Sequence, residues 1–218
     1  MTQFQLVIFD CDGVLVDSER LSNQVFADML NELGFPATLD YMFDHFVGHS
    51  MAYCLDLVAR LLGQPPPANF ADQYRERVKD AFVAKLQTVD GIETALNEIK
   101  LPYCVASSGD HDKRRTTLGI TGLLPRFDGK LFSVTEVGKG KPWPDIFLHA
   151  ARSNGVAPDR CVVVEDSPTG VTAAVAAGMT VLGYAALTAP AGLLAAGAHH
   201  VFTNMAELPR LIDTVSTR

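Results

Sequence analysis

The chain has 218 residues, with 18 Lys and Arg against 25 Asp and Glu, a net charge of −7, and 48% apolar residues. That length is enough to bury a sizeable core in one large domain or two unequal ones. The acidic balance excludes a general binder of nucleic acid or anionic membrane, which would need a basic footprint.

Leu6-Val7-Ile8-Phe9 is a short apolar run that ends in Asp10-Cys11-Asp12-Gly13-Val14-Leu15-Val16-Asp17-Ser18-Glu19. Continuous apolar runs of this length predict parallel strands covered on both faces. From about residue 18 to 88 the pattern changes: helical periodicity near 18–33, 50–62 and 69–86, broken by Gly34-Phe35-Pro36 and Gln64-Pro65-Pro66-Pro67, with no strand. Strands and helices then alternate. A helix near 91–99 leads to Tyr103-Cys104-Val105-Ala106, which ends in Ser107-Ser108-Gly109. Helices near 111–119 and 144–154 precede Cys161-Val162-Val163-Val164, which ends in Glu165-Asp166. A helix near 168–177 and strands at Met179 to Gly183 and Val201-Phe202 complete the pattern. The expected fold is α/β: a doubly wound, mostly parallel sheet from residues 1–17 and 89–218, with an inserted α-helical domain at 18–88.

Ser167 to Ala206 contains no charged residue, but glycines and Pro190 interrupt it too often for a membrane span, which needs about 20 apolar residues in one helix. Cys11, Cys54, Cys104 and Cys161 form no CxxC and no paired framework, and Met1 to Phe9 shows no signal peptide. A cytoplasmic protein is expected.

Ligands of open parallel sheets bind beyond the carboxyl ends of the strands. Asp10, Asp12, Ser107, Glu165 and Asp166 occupy those ends, and Lys141 lies in a loop, Gly140-Lys141-Pro142-Trp143-Pro144-Asp145, that enters a helix. Carboxylates gathered at one rim repel unless a cation compensates, and all-oxygen donors suit Mg²⁺. A Lys and a hydroxyl suit a phosphate. The set points to phosphoryl transfer, with Asp10 as nucleophile and Asp12 as proton donor and acceptor. Ser108 is the rival of Ser107, and Lys139 of Lys141. Cys11 is expected to pack into the sheet, Trp143 on its loop, and His149, His199 and His200 to be structural.

The run from Asp10 to Glu19 resembles the first motif of the haloacid dehalogenase-like (HAD) phosphohydrolases. Ser107 is similar to their second motif, Lys141 to their third, and Glu165-Asp166-Ser167-Pro168-Thr169-Gly170 to their fourth. The resemblance covers the whole chain, is greatest to the β-phosphoglucomutase and sugar-phosphate phosphatase branch, and makes the helical insertion a cap on a Rossmann-like core. It implies an aspartyl-phosphate on Asp10 and acid–base work by Asp12, whose backbone carbonyl would also meet Mg²⁺. It further implies Mg²⁺ held by Asp10 and Asp166, with Glu165 a ligand directly or through the surrounding shell, and a phosphoryl group gripped by Ser107 and Lys141.

A cap is expected to close over such a site and select the leaving group. Arg20, Ser22, His45, His49, Ser50, Arg75 and Lys79 are its candidate contacts. β-Phosphoglucomutases carry a cap His and a cap Arg near the positions of Ser22 and Met51 here. That departure favours a hydrolase over a mutase, with a small phosphorylated metabolite as substrate, no nucleic-acid or membrane partner, and a monomeric state. A signalling receiver domain also sets acids, a hydroxyl and a Lys at strand ends, but it would not need 97 positions between Asp10 and Ser107. A dinucleotide fold lacks support, because no GxGxxG follows Phe9.

Overall fold

The computed structural model describes residues 4–47, 49 and 51–216. The chain forms two compact units, Met1–Val16 with Gln87–Arg218, and Asp17–Leu86.

The first unit contains six strands: β1 (Leu6–Phe9), β2 (Tyr103–Ser107), β3 (Leu131–Ser133), β4 (Cys161–Glu165), β5 (Thr180–Tyr184) and β6 (His200–Phe202). They form one sheet in the order β3-β2-β1-β4-β5-β6, every pair parallel. In chain order, helices α1 (Ser18–Glu32), α2 (Leu39–His45), α3 (Met51–Leu62) and α4 (Phe70–Lys85) make the second unit. Helices α5 (Ile92–Glu98), α6 (His111–Ile120), α7 (Leu124–Phe127), α8 (Asp145–Ser153), α9 (Pro168–Ala176), α10 (Pro190–Ala195) and α11 (Leu208–Ser216) belong to the sheet unit.

All four residues of β1 are fully buried, which places it at the centre of the sheet. Alternation along the strands divides its side chains between two faces. Leu6 and Ile8 join Ile146, Phe147 and Ala150 of α8 and Val171 and Ala174 of α9 in one core. Phe9 meets the edges of Tyr103 and Phe127, with ring centroids 6.2 and 6.4 Å away. Burial of each such side chain contributes roughly 1.5–3 kcal/mol. From β1 the chain winds outward through β2 and β3, then returns to β4 and winds outward on the other side through β5 and β6. The reversal beside β1 is where open α/β sheets open a crevice for ligands.

The helical unit has its own core, centred on Phe26, whose ring contacts Phe46, Phe70 and Tyr74 at 5.2, 5.4 and 5.1 Å. The chain leaves the sheet unit after Val16 and returns at Gln87. A bridge between Val16 and Thr88, and a bond from Val89 N–H to Leu15 C=O at 3.0 Å, tie both crossings to the sheet unit.

Elements not anticipated from the sequence are α2, α7, β3 and α11. β3 has only three residues, two of them half-buried at the sheet edge, so neither a continuous apolar run nor an alternation develops. The uncharged stretch resolves into α9, β5, α10 and β6. Among the described residues, no helix is long and apolar enough to cross a membrane.

Candidate active site

Asp10 continues the β1 ladder: its N–H donates to Val164 C=O at 3.0 Å, which sets Asp10 level with Glu165, the last residue of β4. The chain then turns back tightly. Cys11 C=O accepts from the N–H groups of Leu15 and Val16 at 2.9 and 3.1 Å, and Gly13 N–H donates to Val16 C=O at 2.9 Å. Gly13 has φ +73°, and a Cβ there would overlap the Asp166 carboxylate, so only glycine lets this turn pass so close.

Oxygens of Asp10, Glu165 and Asp166, all buried, lie within 4.8 Å of one another. Lys141 Nζ reaches this cluster from the loop before α8, 2.9 Å from Asp10 Oδ1 and 2.5 Å from Glu165 Oε1. The Lys141–Pro142 peptide in that loop is cis. Burial alone would lower the Lys141 ammonium, but the Asp10 and Glu165 carboxylates reverse this and hold it above its ordinary range. Glu165 shifts the opposite way from a simple ion-pair partner. Burial pushes it up, Lys141 opposes this, and the Asp10 charge adds to the rise. Asp10 and Glu165 share the one ammonium and Asp166 stands beside them, so these three carboxylates and Lys141 carry a formal surplus of two negative charges. A hard divalent cation fits this all-oxygen, charge-deficient set.

Glu165 is held at both ends. Its Oε2 accepts from the N–H and the hydroxyl of Ser167 at 3.1 and 3.0 Å, while the Ser167 hydroxyl caps α9 by accepting from Gly170 N–H at 3.1 Å. A Cβ at Gly170 would overlap the Glu165 carboxylate. Gly170→Ala would gain roughly 0.5–1 kcal/mol of helix propensity. Displacing a carboxylate pinned by Lys141 and Ser167 costs more, about 1–3 kcal/mol. A net fall in melting temperature is therefore expected; an unchanged or raised value would show that Glu165 is not held as described.

Ser107 ends β2, buried, with its hydroxyl accepting from Gly109 N–H at 3.2 Å; Ser108 is exposed in the same loop. Asp12 lies at the first turn, where its Oδ2 is 3.2 Å from Lys113 Nζ and 2.7 Å from Arg114 Nη1. The sequence reading missed these two cations. The signal available was the basic run Lys113-Arg114-Arg115 just after the loop of the second strand. Cys11 is fully buried and its thiol is pushed up to about 12, chiefly by burial, so it is no nucleophile at neutral pH. Lys139 Nζ sits 4.1 Å over the ring of Trp143, which is 54% exposed rather than packed away. His149 and His111 each contact Glu136, at 3.1 and 2.7 Å, and His199 Nδ1 accepts from Val181 N–H at 3.1 Å.

The other candidates belong to the helical unit. Arg20 pairs with Asp17 at 3.4 Å, the Ser22 hydroxyl donates to Ser18 C=O at 2.7 Å, and the His49 ring stacks on Tyr53 with centroids 4.1 Å apart. Arg75 pairs with Asp72. Ser50 lies outside the described residues.

Residues 4–178 match the family model of the haloacid dehalogenase-like hydrolases. The chain belongs to this family. It is 32% identical over 187 residues to the 6-phosphogluconate phosphatase of Escherichia coli, covering 85% of each chain. It superposes with a TM-score of 0.91 on a conserved haloacid dehalogenase-like protein of Agrobacterium tumefaciens, 37% identical, covering 98% of this chain and 99% of that one. A HAD family hydrolase of Deinococcus radiodurans, solved with bound phosphate and sodium, gives a TM-score of 0.88 at 33% identity, covering 99% and 98%. The chain is an enzyme of this HAD phosphatase type.

Proposed function

We propose that this protein is a Mg²⁺-dependent phosphomonoester hydrolase acting on a small sugar phosphate or sugar-acid phosphate through an aspartyl-phosphate on Asp10. The observation that carries the reading is the clustering of Asp10, Glu165 and Asp166 at the sheet's switch point, with Lys141 bridging Asp10 and Glu165. The E. coli relative, a 6-phosphogluconate phosphatase, supports the substrate class.

Mg²⁺ would be held by Asp10 and Asp166 with the Asp12 backbone carbonyl, and it would offset the charge of the phosphoryl group. Glu165 already commits both oxygens, to Lys141 and to Ser167, which fits a supporting part in that set. In the first step an Asp10 oxygen bonds to phosphorus, the ester P–O bond breaks, and Asp12 gives its proton to the leaving oxygen. In the second, water bonds to phosphorus, its proton passes to Asp12, the bond to Asp10 breaks and phosphate departs. Lys141 and the Ser107 hydroxyl hold the phosphoryl oxygens through both steps.

The helical unit is assigned the selection of the leaving group. Ser22 gives its hydroxyl to its own helix, and Met51 packs against that unit's core. Neither supplies the cationic grip a mutase needs on a bisphosphate, so hydrolysis is favoured. Four buried free cysteines suit a reducing cytoplasm, and a monomer suffices because one chain supplies every residue named.

Incubation with Mg²⁺ and a panel of sugar phosphates, sugar-acid phosphates, phosphoglycolate and nucleotides tests this reading. Phosphate release from a sugar or sugar-acid phosphate is expected, abolished by EDTA and restored by Mg²⁺. A folded protein that releases phosphate from no member, or that only converts glucose 1-phosphate to glucose 6-phosphate, overturns it.

A further inference from the structure

Arg114 heads the fully buried side chains of the described residues in volume, with 0% exposure. It lies in the first turn of α6, just past the loop that follows β2. Burial alone would lower its guanidinium, but the Asp12 and Asp10 carboxylates more than reverse that, so it carries its charge. Its Nη1 pairs with Asp12 Oδ2 at 2.7 Å, while among the described residues Nε and Nη2 have no aligned hydrogen-bond partner. The loop makes room for it: a Cβ at Gly109 would overlap the guanidinium.

As a stabilising device this is poor. Buried donors left unsatisfied each cost about 1–3 kcal/mol. Replacing a buried ion pair by apolar groups of similar volume is often neutral or stabilising. Arg114 is also too deep to reach a substrate. What it touches is Asp12, a side chain 23% exposed, whose same oxygen meets half-exposed Lys113 at 3.2 Å from the solvent side. One cation below and one above leave the Asp12 carboxylate little freedom to swing.

We propose that Arg114 is a positioning residue, which fixes the Asp12 carboxylate at the rim of the site in the orientation that delivers a proton to the leaving oxygen. The inference rests on the function proposed above. It gives the buried charge a purpose that packing does not, and it predicts which chemistry suffers when the charge is removed.

The discriminating readout is the leaving group. A sugar alkoxide must be protonated as its P–O bond breaks, whereas 2,4-dinitrophenolate leaves unaided. Removal of Arg114 should therefore slow the first reaction and spare the second. In Arg114→Met, kcat/KM for the best sugar phosphate is expected to fall on the order of 10²-fold, the size of a general-acid contribution. For 2,4-dinitrophenyl phosphate, where kcat/KM reports phosphorylation of Asp10, a change below about threefold is expected. Arg114→Lys, which keeps a cation, is expected to show the same split at smaller size, and it serves alone if the Met variant does not fold. Equal losses on both esters, or no loss on either, overturn the inference while the hydrolase reading stands. A folded wild-type protein that cleaves neither ester overturns both.

Discussion

Asp10→Asn is expected to reduce phosphomonoester turnover on the order of 10⁴-fold or more while the protein stays folded. The amide keeps the shape of the carboxylate but is no nucleophile toward phosphorus. The structural cost is small, because Asn removes one of three mutually repelling carboxylates and Lys141 keeps Glu165 as a partner at 2.5 Å. Phosphate release under saturating Mg²⁺, with a thermal melt alongside, provides the measurement. Acid-quenched wild-type enzyme should carry an acid-stable, base-labile phosphate that the variant lacks. Turnover near wild type in a folded Asp10→Asn protein would remove Asp10 from the chemistry.

Lys141→Met is expected to harm both stability and activity. Its side chain is 5% exposed, and its ammonium bridges Asp10 and Glu165. Taking away one partner of a buried pair costs about 3–5 kcal/mol, because the other charge stays buried without compensation. The orphan here is Glu165, which has no exposure at all. Its carboxyl is already raised by burial, and loss of Lys141 raises it further. A folded-state value above the unfolded one means that the ionised form is penalised in the native state. The penalty is full above the folded value and fades as pH falls toward the unfolded value near 4.5. The destabilisation should therefore be largest at neutral and alkaline pH and shrink on acidification. Denaturant melts across pH would show it, and adding Glu165→Gln to Lys141→Met should recover part of the stability without restoring turnover. A neutral-pH loss below about 1 kcal/mol would mean that the Lys141 bridge carries little of the site's electrostatic balance.

The sequence was most legible where one local rule sufficed. β1, β2 and β4 are unbroken apolar runs that end in, or are followed directly by, a polar residue, and their order with the intervening helices implied a parallel doubly wound sheet. Asp10, Glu165 and Lys141 are found together, although 131 positions separate Asp10 from Lys141. Short or half-buried elements were not legible, because three residues at a sheet edge or seven in a capped turn of helix leave no period to read. In the helical unit, Arg20, Ser22 and His49, the candidate leaving-group contacts, pair with Asp17, Ser18 and Tyr53 of that unit.

The chain's residue order determined which groups stand at strand ends and which glycines allow the backbone to pass them, since both depend on neighbours a few positions away. Tertiary structure alone decided the charge balance: that one ammonium serves Asp10 and Glu165 at once, and that Arg114, a residue of an ordinary basic run, turns inward beneath Asp12. The reason is physical. Burial and the sum of Coulomb interactions depend on which groups are brought within a few ångströms after folding, and no pattern along the chain encodes that distance.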